Sequence, residues 1–386
     1  MLSLMLACCF AKTAAQTERL FFHHLTTADG LSQSINTFIH KDKQGFVWIG
    51  SYDGLNRFDG QEVVVYRPMA TKPDAMSGSQ IISPFFEDND GNLWFSTDRA
   101  VNCYRHATDD IVHFQITNGE HRLFHREPSG RLWVQVNDTL FVFAPDIFNP
   151  KSNLRTDMLG PLPGNRFAVL TGDDGAVRKI LRIAEDDSDS DGYGLGGYSF
   201  ANGKIRPGNT FFENPQVMRI EGVQTRLGRQ TFFAVQPTGN ENQIWLAATE
   251  SLMQFDLEKQ LITYRHKMPP QQDLWDMAKL DDSRFIFATK MGVQVFDWRD
   301  RRVQFWYKND LADPNSLVDN QSQQVYLDRD KVLWVSGMAK GVDYASLKKV
   351  KFEFLPDDRF DNGKKEDENS FGAGAIAEIR GAKKLL

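Results

Sequence analysis

The stretch "DDSDSDGYG" at residues 186–194 sets Asp187, Asp189 and Asp191 at alternate positions before Gly192, the opening D-x-D-x-D-G of a calcium loop. Alternating carboxylates ahead of a glycine turn can converge oxygen ligands on a hard cation. Counting on, the ninth position is Leu195 and the twelfth is Tyr198, so the closing acidic ligand is missing. A solvated acidic loop is the first reading of this segment. Calcium is the alternative, and no other cofactor is expected. His121 and His125 lie four apart in "EHRLFHRE". On a helix that spacing makes a metal pair. On a strand, which these residues spell, it leaves the rings roughly 13 Å apart on one face. They read as surface histidines. Cys103, in "RAVNCYRH", has no supporting His and acid pattern and reads as a packed strand thiol. No Ser-His-Asp arrangement or His/Cys cluster stands out. No catalytic residue is assigned, and this region is expected not to be an enzyme.

The residues that recur are of another kind. "DKQGFVWIGSYDGLNRFDG" at residues 42–60 is a polar turn, a short apolar strand around Trp48, a second turn and a third strand. It returns around Trp94, Trp133, Trp245 and Trp334, with Ile286 standing in once. An aliphatic residue follows seven positions later at Leu55, Val101, Leu140, Leu252 and Val293, and eight later at Val342. An aromatic comes next in the column at Phe58, Tyr104, Phe143, Phe255, Phe296 and Tyr344. Each copy follows another apolar segment, such as "INTFIHKD" or "QQVYLDRD", and a fourth strand such as "EVVVYR" often closes it. The tryptophans are 46 and 39 residues apart early in the chain, and the later positions 41 and 48.

Four short strands per roughly 40 to 50 residues is the period of a propeller blade. In "FVWIGS" both faces of the strand are apolar or small, so both must be covered. A blade stacked between neighbours provides that cover, whereas a sandwich would leave one face polar. The Trp column therefore packs against neighbouring blades rather than serving as a row of sugar platforms. The Asp-Gly turns are first of all hairpin chemistry. A degenerate copy, "GNRFAVLTGDDGAVRKI", puts Ala168 at the Trp position. The expected fold is an all-β propeller of seven four-stranded blades, eight being the alternative, with the start of a further blade at the C-terminus.

Composition agrees with a globular β-protein: 41% of residues are hydrophobic and 12% aromatic, including 29 Phe and 8 Trp. The net charge of −6 comes with no basic stripe, which excludes nucleic acid as an expected partner. At the N-terminus, residues 2–11 form an apolar run of signal-peptide length, and Thr13–Ala15 offers a small-residue cleavage site. A basic n-region is missing, so a lipoprotein box at Leu6–Cys8 and a buried helix are the rival readings. Residues 1–15 are read as a signal peptide, and export to the periplasm or cell surface is expected. Without it Cys103 is the one remaining cysteine, and no internal disulfide can form.

The repeat resembles the two-component regulator propeller, a family with the pattern D-x-x-G-x-[LVI]-W-[IV]-G-[TS]…G-L-x-[RK]-[FY]-[DN]. Residues 42–59 follow it almost letter for letter, and "GLSQSIN" resembles the family's opening blade. The resemblance runs from about Leu25 to the C-terminus and weakens between Pro145 and Gln236. "NSFGAGAIAEIRGAKKLL" at the chain end lines up with "NSLVDNQSQQVYLDRDKVLW" and stops where the next Trp would come. The domains expected are thus a propeller over residues 20–355 and a truncated blade or second propeller over 356–386.

The resemblance implies an extracytoplasmic sensor, the N-terminal region of a membrane-anchored hybrid two-component or diguanylate-cyclase protein. It implies an oligosaccharide or other small ligand, signalling domains later in the same polypeptide, and a homodimer in the full-length protein. No phosphoacceptor helix, Gly-rich nucleotide loop or GGDEF motif occurs in these residues. The rival readings are an exported lyase or glycosidase and a protein-interaction scaffold.

Overall fold

Every polar turn that the repeat places before a tryptophan reverses the chain into an antiparallel meander. The computed structural model describes residues 19–69, 71, 75–146, 156–162, 166–172, 174–183, 195–201, 204–210, 217–220, 223–226, 232–238, 240, 242–249, 251–259, 261–269 and 272–348. Sheet 1 runs in order through Asn36–Lys41, Val47–Ser51, Gly54–Phe58 and Val63–Tyr66. Sheet 2 is Phe86–Glu87, Leu93–Ser96, Val101–Arg105 and Asp110–Phe114. Sheet 3 extends from His121–Arg126 to Thr156–Pro161, sheet 4 from Arg166–Thr171 to Lys204–Thr210, and sheet 6 from Leu274–Lys279 to Arg302–Tyr307. In sheets 1, 2, 3 and 6 the second strand is the one that the repeat's apolar run forms, and in sheet 1 every residue of it is buried.

Sheet 5 is different. Its meander is Phe232–Pro237, Gln243–Ala248, Ser251–Asp256 and Leu261–Lys267, and a hairpin of Val217–Ile220 and Val223–Arg226 joins its outer edge. The join is a single parallel pair, Ile220 with Ile262. Among the described residues six sheets are thus four-stranded blades and this one has six strands. The expectation of seven, or eight, four-stranded blades is corrected to six, because the chain between sheets 4 and 5 spends its strands widening sheet 5. A second correction concerns Ala168. It lies on the first strand of sheet 4, whose second strand is Val177–Ile183. The turn bonds Gly172 N–H to Ala176 carbonyl and Gly175 N–H to Gly172 carbonyl match those at Asp42 and Phe46, so Arg178 holds the Trp position.

Sheet 7 contains both ends of the described chain. Ser322–Leu327, Val332–Gly337 and Val342–Ser346 are its first three strands, and His23–Leu25 pairs antiparallel with the last. The N-terminal strand is therefore the outer strand of the final sheet, which closes the ring. Lys41 of sheet 1 reaches Asp330 at 2.8 Å and Asp328 at 3.3 Å, and Arg329 donates to the carbonyls of Asp42 and Lys43. The stretch expected to begin a further blade, residues 356–386, lies outside the described residues.

The tryptophans fill the seams between sheets. Trp48 packs with Ile81, Phe95 and Tyr104 of sheet 2, and Trp94 with Leu123, Leu132 and Phe143 of sheet 3. Trp133 meets Ile180 of sheet 4, Trp245 meets Phe285 of sheet 6, and Trp334 meets Ile39 and Phe58 of sheet 1. Ile286 does the same work against Val325 and Leu333. Meander connectivity puts the turns after first and third strands at one end of each sheet, the turn end. The turns after second strands and the links between sheets lie at the other, the link end. Among the described residues no helix is long and apolar enough to cross a membrane.

Candidate functional site

The repeat builds two devices that hold loops in place at the two ends of the ring. At the turn end, an acid six residues before the tryptophan accepts its indole N–H in sheets 1, 2, 3 and 7. The Nε1 to carboxylate distances are 2.7 Å for Trp48–Asp42, 3.0 Å for Trp94–Asp88, 2.9 Å for Trp133–Glu127 and 3.2 Å for Trp334–Asp328. The same carboxylates also tie the turn: Asp42 Oδ1 accepts from the N–H groups of Gly45 and Phe46. At the link end, a buried polar residue on the third strand holds the link entering the same sheet. Asn56 accepts from the Ser32 N–H at 2.8 Å, Asn102 from the Ser77 N–H at 2.9 Å, and Asp343 from the Val318 N–H at 3.0 Å. Gln294 and Gln272 repeat the clamp through their side chains. Loops carry function when a rigid scaffold holds them, and these clamps supply that rigidity.

A cavity of about 650 Å³ opens at the link end of sheet 2, a volume that suits a small organic ligand. Met69 and Met76 of the incoming link give it an apolar wall, and Ser77, Asp98, Arg99 and His113 give it polar groups. Ser77 is fixed by Asn102 and by its hydroxyl contact with Thr97 at 2.7 Å. His113 Nδ1 donates to the Ala75 carbonyl at 2.9 Å, which fixes the orientation of the ring. An acid, a guanidinium and an imidazole at one mouth can orient a polar ligand by hydrogen bonds. The described lining contains no nucleophile paired with a base.

The residues singled out by sequence fall as follows. Asp187, Asp189 and Asp191 lie outside the described residues, so the calcium loop has no geometry here. Among the described residues no group of three His, Cys, Asp or Glu could hold a metal. His121 is fully buried rather than a surface residue. Its Nδ1 meets the Gly119 carbonyl at 2.9 Å and its Nε2 accepts the Ile116 N–H at 3.1 Å, so neither nitrogen is left for a ligand. The register with the next strand shifts at a bulge between Leu123 and His125, so the two do not keep the regular spacing of one strand face. Burial pushes both imidazoles below the usual histidine range. Cys103 is a buried free thiol, held well above its ordinary pKa first by burial and then by Asp88.

One cluster escaped the sequence reading. Arg57, opposite Trp48 on the third strand of sheet 1, lies over the rings of Phe46 at 4.9 Å, Tyr66 at 5.7 Å and Trp48 at 5.9 Å. It donates to the Tyr104 hydroxyl at 2.9 Å and to Asp109 at 3.1 Å. Asp109 also accepts from the hydroxyls of Tyr66 at 2.8 Å and Tyr104 at 3.0 Å. The Tyr66 hydroxyl leads the groups that pull Asp109 below the ordinary carboxylate range, and burial pushes Tyr66 upward. Only the aromatic and charged types were visible in the sequence; their meeting depends on sheet 2 standing beside sheet 1.

Comparison with known proteins places this architecture. Residues 77–99, which include Asp88 and Trp94, match the family model "two component regulator propeller". Histidine kinase P4 of Formosa agariphila is 47% identical over 53 residues, 14% of this chain and 4% of that protein. The extracellular domain of a putative hybrid two component system from B. thetaiotaomicron superposes with a TM-score of 0.62 at 17% identity, over 86% of this chain and 42% of that one. Virginiamycin B lyase from Staphylococcus aureus gives 0.58 at 11%, over 86% and 99%. At such identities the solved structures share the fold with this chain, which spans well under half of the two-component protein's extracellular domain. The match to the two component regulator propeller model thus covers one repeat, in sheet 2, and the same acid–tryptophan pair recurs in sheets 1, 3 and 7.

Proposed function

We propose that this chain is the extracytoplasmic ligand-binding region of a membrane-bound signal-transduction protein, and that it binds without turning its ligand over. The observation that carries the reading is the regulator-propeller repeat itself, copied in the sheets whose links and turns frame the ring. The fold likeness to an extracellular domain of a two-component system supports it, and so does the short stretch shared with a histidine kinase. In this reading the cavity at the link end of sheet 2 takes an oligosaccharide or other polar small molecule. Binding there shifts how propellers or protomers of a full-length homodimer pack, and a later domain of the same polypeptide reads that shift.

The lyase likeness favours a second reading, an exported enzyme on the same fold. The two are separated by incubating the purified chain with a glycan panel and following both heat of binding and product release. Saturable binding that Arg99→Ala and His113→Ala weaken at least tenfold, with no new product, is the expected result. Product release that these variants abolish would replace the sensor reading with the enzyme. No binding by any glycan would remove the oligosaccharide and point to a scaffold.

A further inference from the structure

Thr238 stands where four other turns of the repeat have their acid. Its N–H bonds to the carbonyl of Gln243, two residues before Trp245, as the Asp42 N–H bonds to that of Phe46, two residues before Trp48. Trp48, Trp94, Trp133 and Trp334 each donate their indole N–H to a carboxylate. Trp245 does not, and its N–H makes no hydrogen bond among the described residues. The Thr238 hydroxyl is turned instead to the Gln243 carbonyl, at 3.0 Å. The Trp245 ring is buried, yet its nitrogen keeps access to solvent, unlike the sealed hydroxyl of Tyr264 beside it.

Beside that ring is space. A cavity of about 440 Å³ opens at the turn end between sheets 5 and 6, a volume that suits a small organic ligand. Trp245, Phe285 and Trp298 give it aromatic walls, the Trp245 ring centred 5.2 Å from each of the other two. Its polar groups decide what it can take. Gln254 has its Oε1 engaged by the Thr263 hydroxyl at 3.0 Å, which leaves its N–H protons as donors. Both carboxylates of the lining are already engaged. Asp281 accepts from the N–H groups of Ser283 and Arg284, each at 2.9 Å, and from Arg284 Nε at 2.8 Å. Asp282 is held by Lys279 at 2.9 Å, and 86% of its side chain is exposed. Lys279 and Arg299 balance the two acids, so the lining favours neither sign of charge.

We propose that this cavity binds a neutral ring compound through a carbonyl oxygen, which takes the place at Trp245 that the Asp42 carboxylate holds at Trp48. The Trp245 N–H and the Gln254 amide are the donors. A carbonyl oxygen has two lone pairs and no proton, so it accepts from both and asks for no acceptor in return. A hydroxyl would bring a proton to a lining whose carboxylates are already engaged. A carboxylate would stand in one small space with Asp281 and Asp282, and like charges in such a space repel. The aromatic walls hold the flat apolar face of the ligand. The site lies at the opposite end of the ring from the cavity of sheet 2 and stands whether or not the chain signals.

The test titrates the isotope-labelled 386-residue chain with acetophenone and coumarin, following heat and the indole N–H resonances, of which the Trp245 signal is the one that Trp245→Phe removes. Both carbonyl compounds are expected to bind saturably and to move that signal. Benzyl alcohol, with a hydroxyl for the carbonyl, and benzoate should bind at least tenfold more weakly than acetophenone. Trp245→Phe keeps an aromatic ring, breaks no internal hydrogen bond and should weaken acetophenone at least tenfold. Thr238→Asp restores the acid of the repeat as an internal acceptor and should abolish binding with the circular dichroism unchanged. Lack of saturable binding by both carbonyl compounds, equal binding of benzyl alcohol, or full binding by Trp245→Phe overturns the proposal. Should the variants fail to fold, the wild-type chain decides, and an indole N–H spectrum that stays unmoved at saturation is the overturning result.

Discussion

Trp48 and Trp245 hold the same position in their sheets and differ in one bond. The Trp48 indole N–H reaches the Asp42 carboxylate at 2.7 Å, while the residue that opens the turn before Trp245 is Thr238, which has no carboxylate to offer. Hydrogen bonds to charged groups contribute about 1.5–3 kcal/mol, and a buried carboxylate that loses a donor is left partly unsatisfied. Trp48→Phe is therefore expected to cost about 2 kcal/mol more than Trp245→Phe, since both remove the same ring volume. Urea denaturation of the two variants checks this, and equal losses would show that packing alone holds the column. The acid column was legible in the sequence, six residues ahead of Trp48, Trp94, Trp133 and Trp334, yet it read as turn chemistry because Asp also opens glycine turns. Arg57 and Asp109 gave no such signal. They are 52 residues apart and meet only because neighbouring sheets stand side by side.

At the scale of the strand, the turn between second and third strands sets how closely the outer strand can approach. Gly54, Gly292 and Gly341 begin or precede third strands with positive φ, and a Cβ on each would lie 2.7, 2.2 and 2.3 Å from a carbonyl oxygen of the outer strand. Gly45 also has a positive φ, at 103°, but nothing stands within 4 Å of it. Gly292→Ala should then lose about 2 kcal/mol or more, from backbone strain and the clash with the Tyr307 carbonyl together. Gly45→Ala should lose about 1 kcal/mol, from strain alone. Thermal unfolding of the pair separates these terms; a larger loss for Gly45→Ala would sink the close-approach argument. The strands that carried tryptophan were legible because an apolar run with two buried faces and the turn glycines agreed. Sheet 4 misled because its second strand has Arg178 where the column expects tryptophan, and the apolar run "RFAVL" on the first strand took its place. The hairpin on sheet 5 had no repeat to announce it. Nothing local says whether two short strands found a new sheet or extend an old one.

The whole ring depends on a strand of three residues. His23–Leu25 is the outer strand of sheet 7, and it is fastened by His24. Nδ1 lies 2.6 Å from Asp343 and Nε2 lies 2.9 Å from the Pro314 carbonyl, so only the doubly protonated ring donates to both. Burial alone would lower its pKa, but the Pro314 carbonyl and the Asp343 carboxylate outweigh it and raise the imidazole above 6.5. Burial also raises Asp343, against the pull of His24 and the Val318 N–H, with Asp319 adding to the rise and Asp29 to that of His24. Both shifts have one meaning: the folded clasp holds protons more tightly than the unfolded chain does. The contribution of His24 is complete below the ordinary imidazole pKa and is lost as pH rises through its raised folded value. Above that, Asp343 is a buried carboxylate without its cation. The N-terminal strand is thus expected to open more often as pH rises from about 6 to about 8.5, seen as faster exchange at amides 23–25 relative to the intrinsic rate at each pH. His24→Gln keeps one donor and cannot titrate, so its exchange should lose that dependence. A wild-type strand whose protection stays level across this range would mean that backbone pairing with Val342–Ser346 closes the ring unaided. Such a closure would be insensitive to the acidity of the surrounding solution, whereas a proton-dependent one ties the integrity of the ring to it.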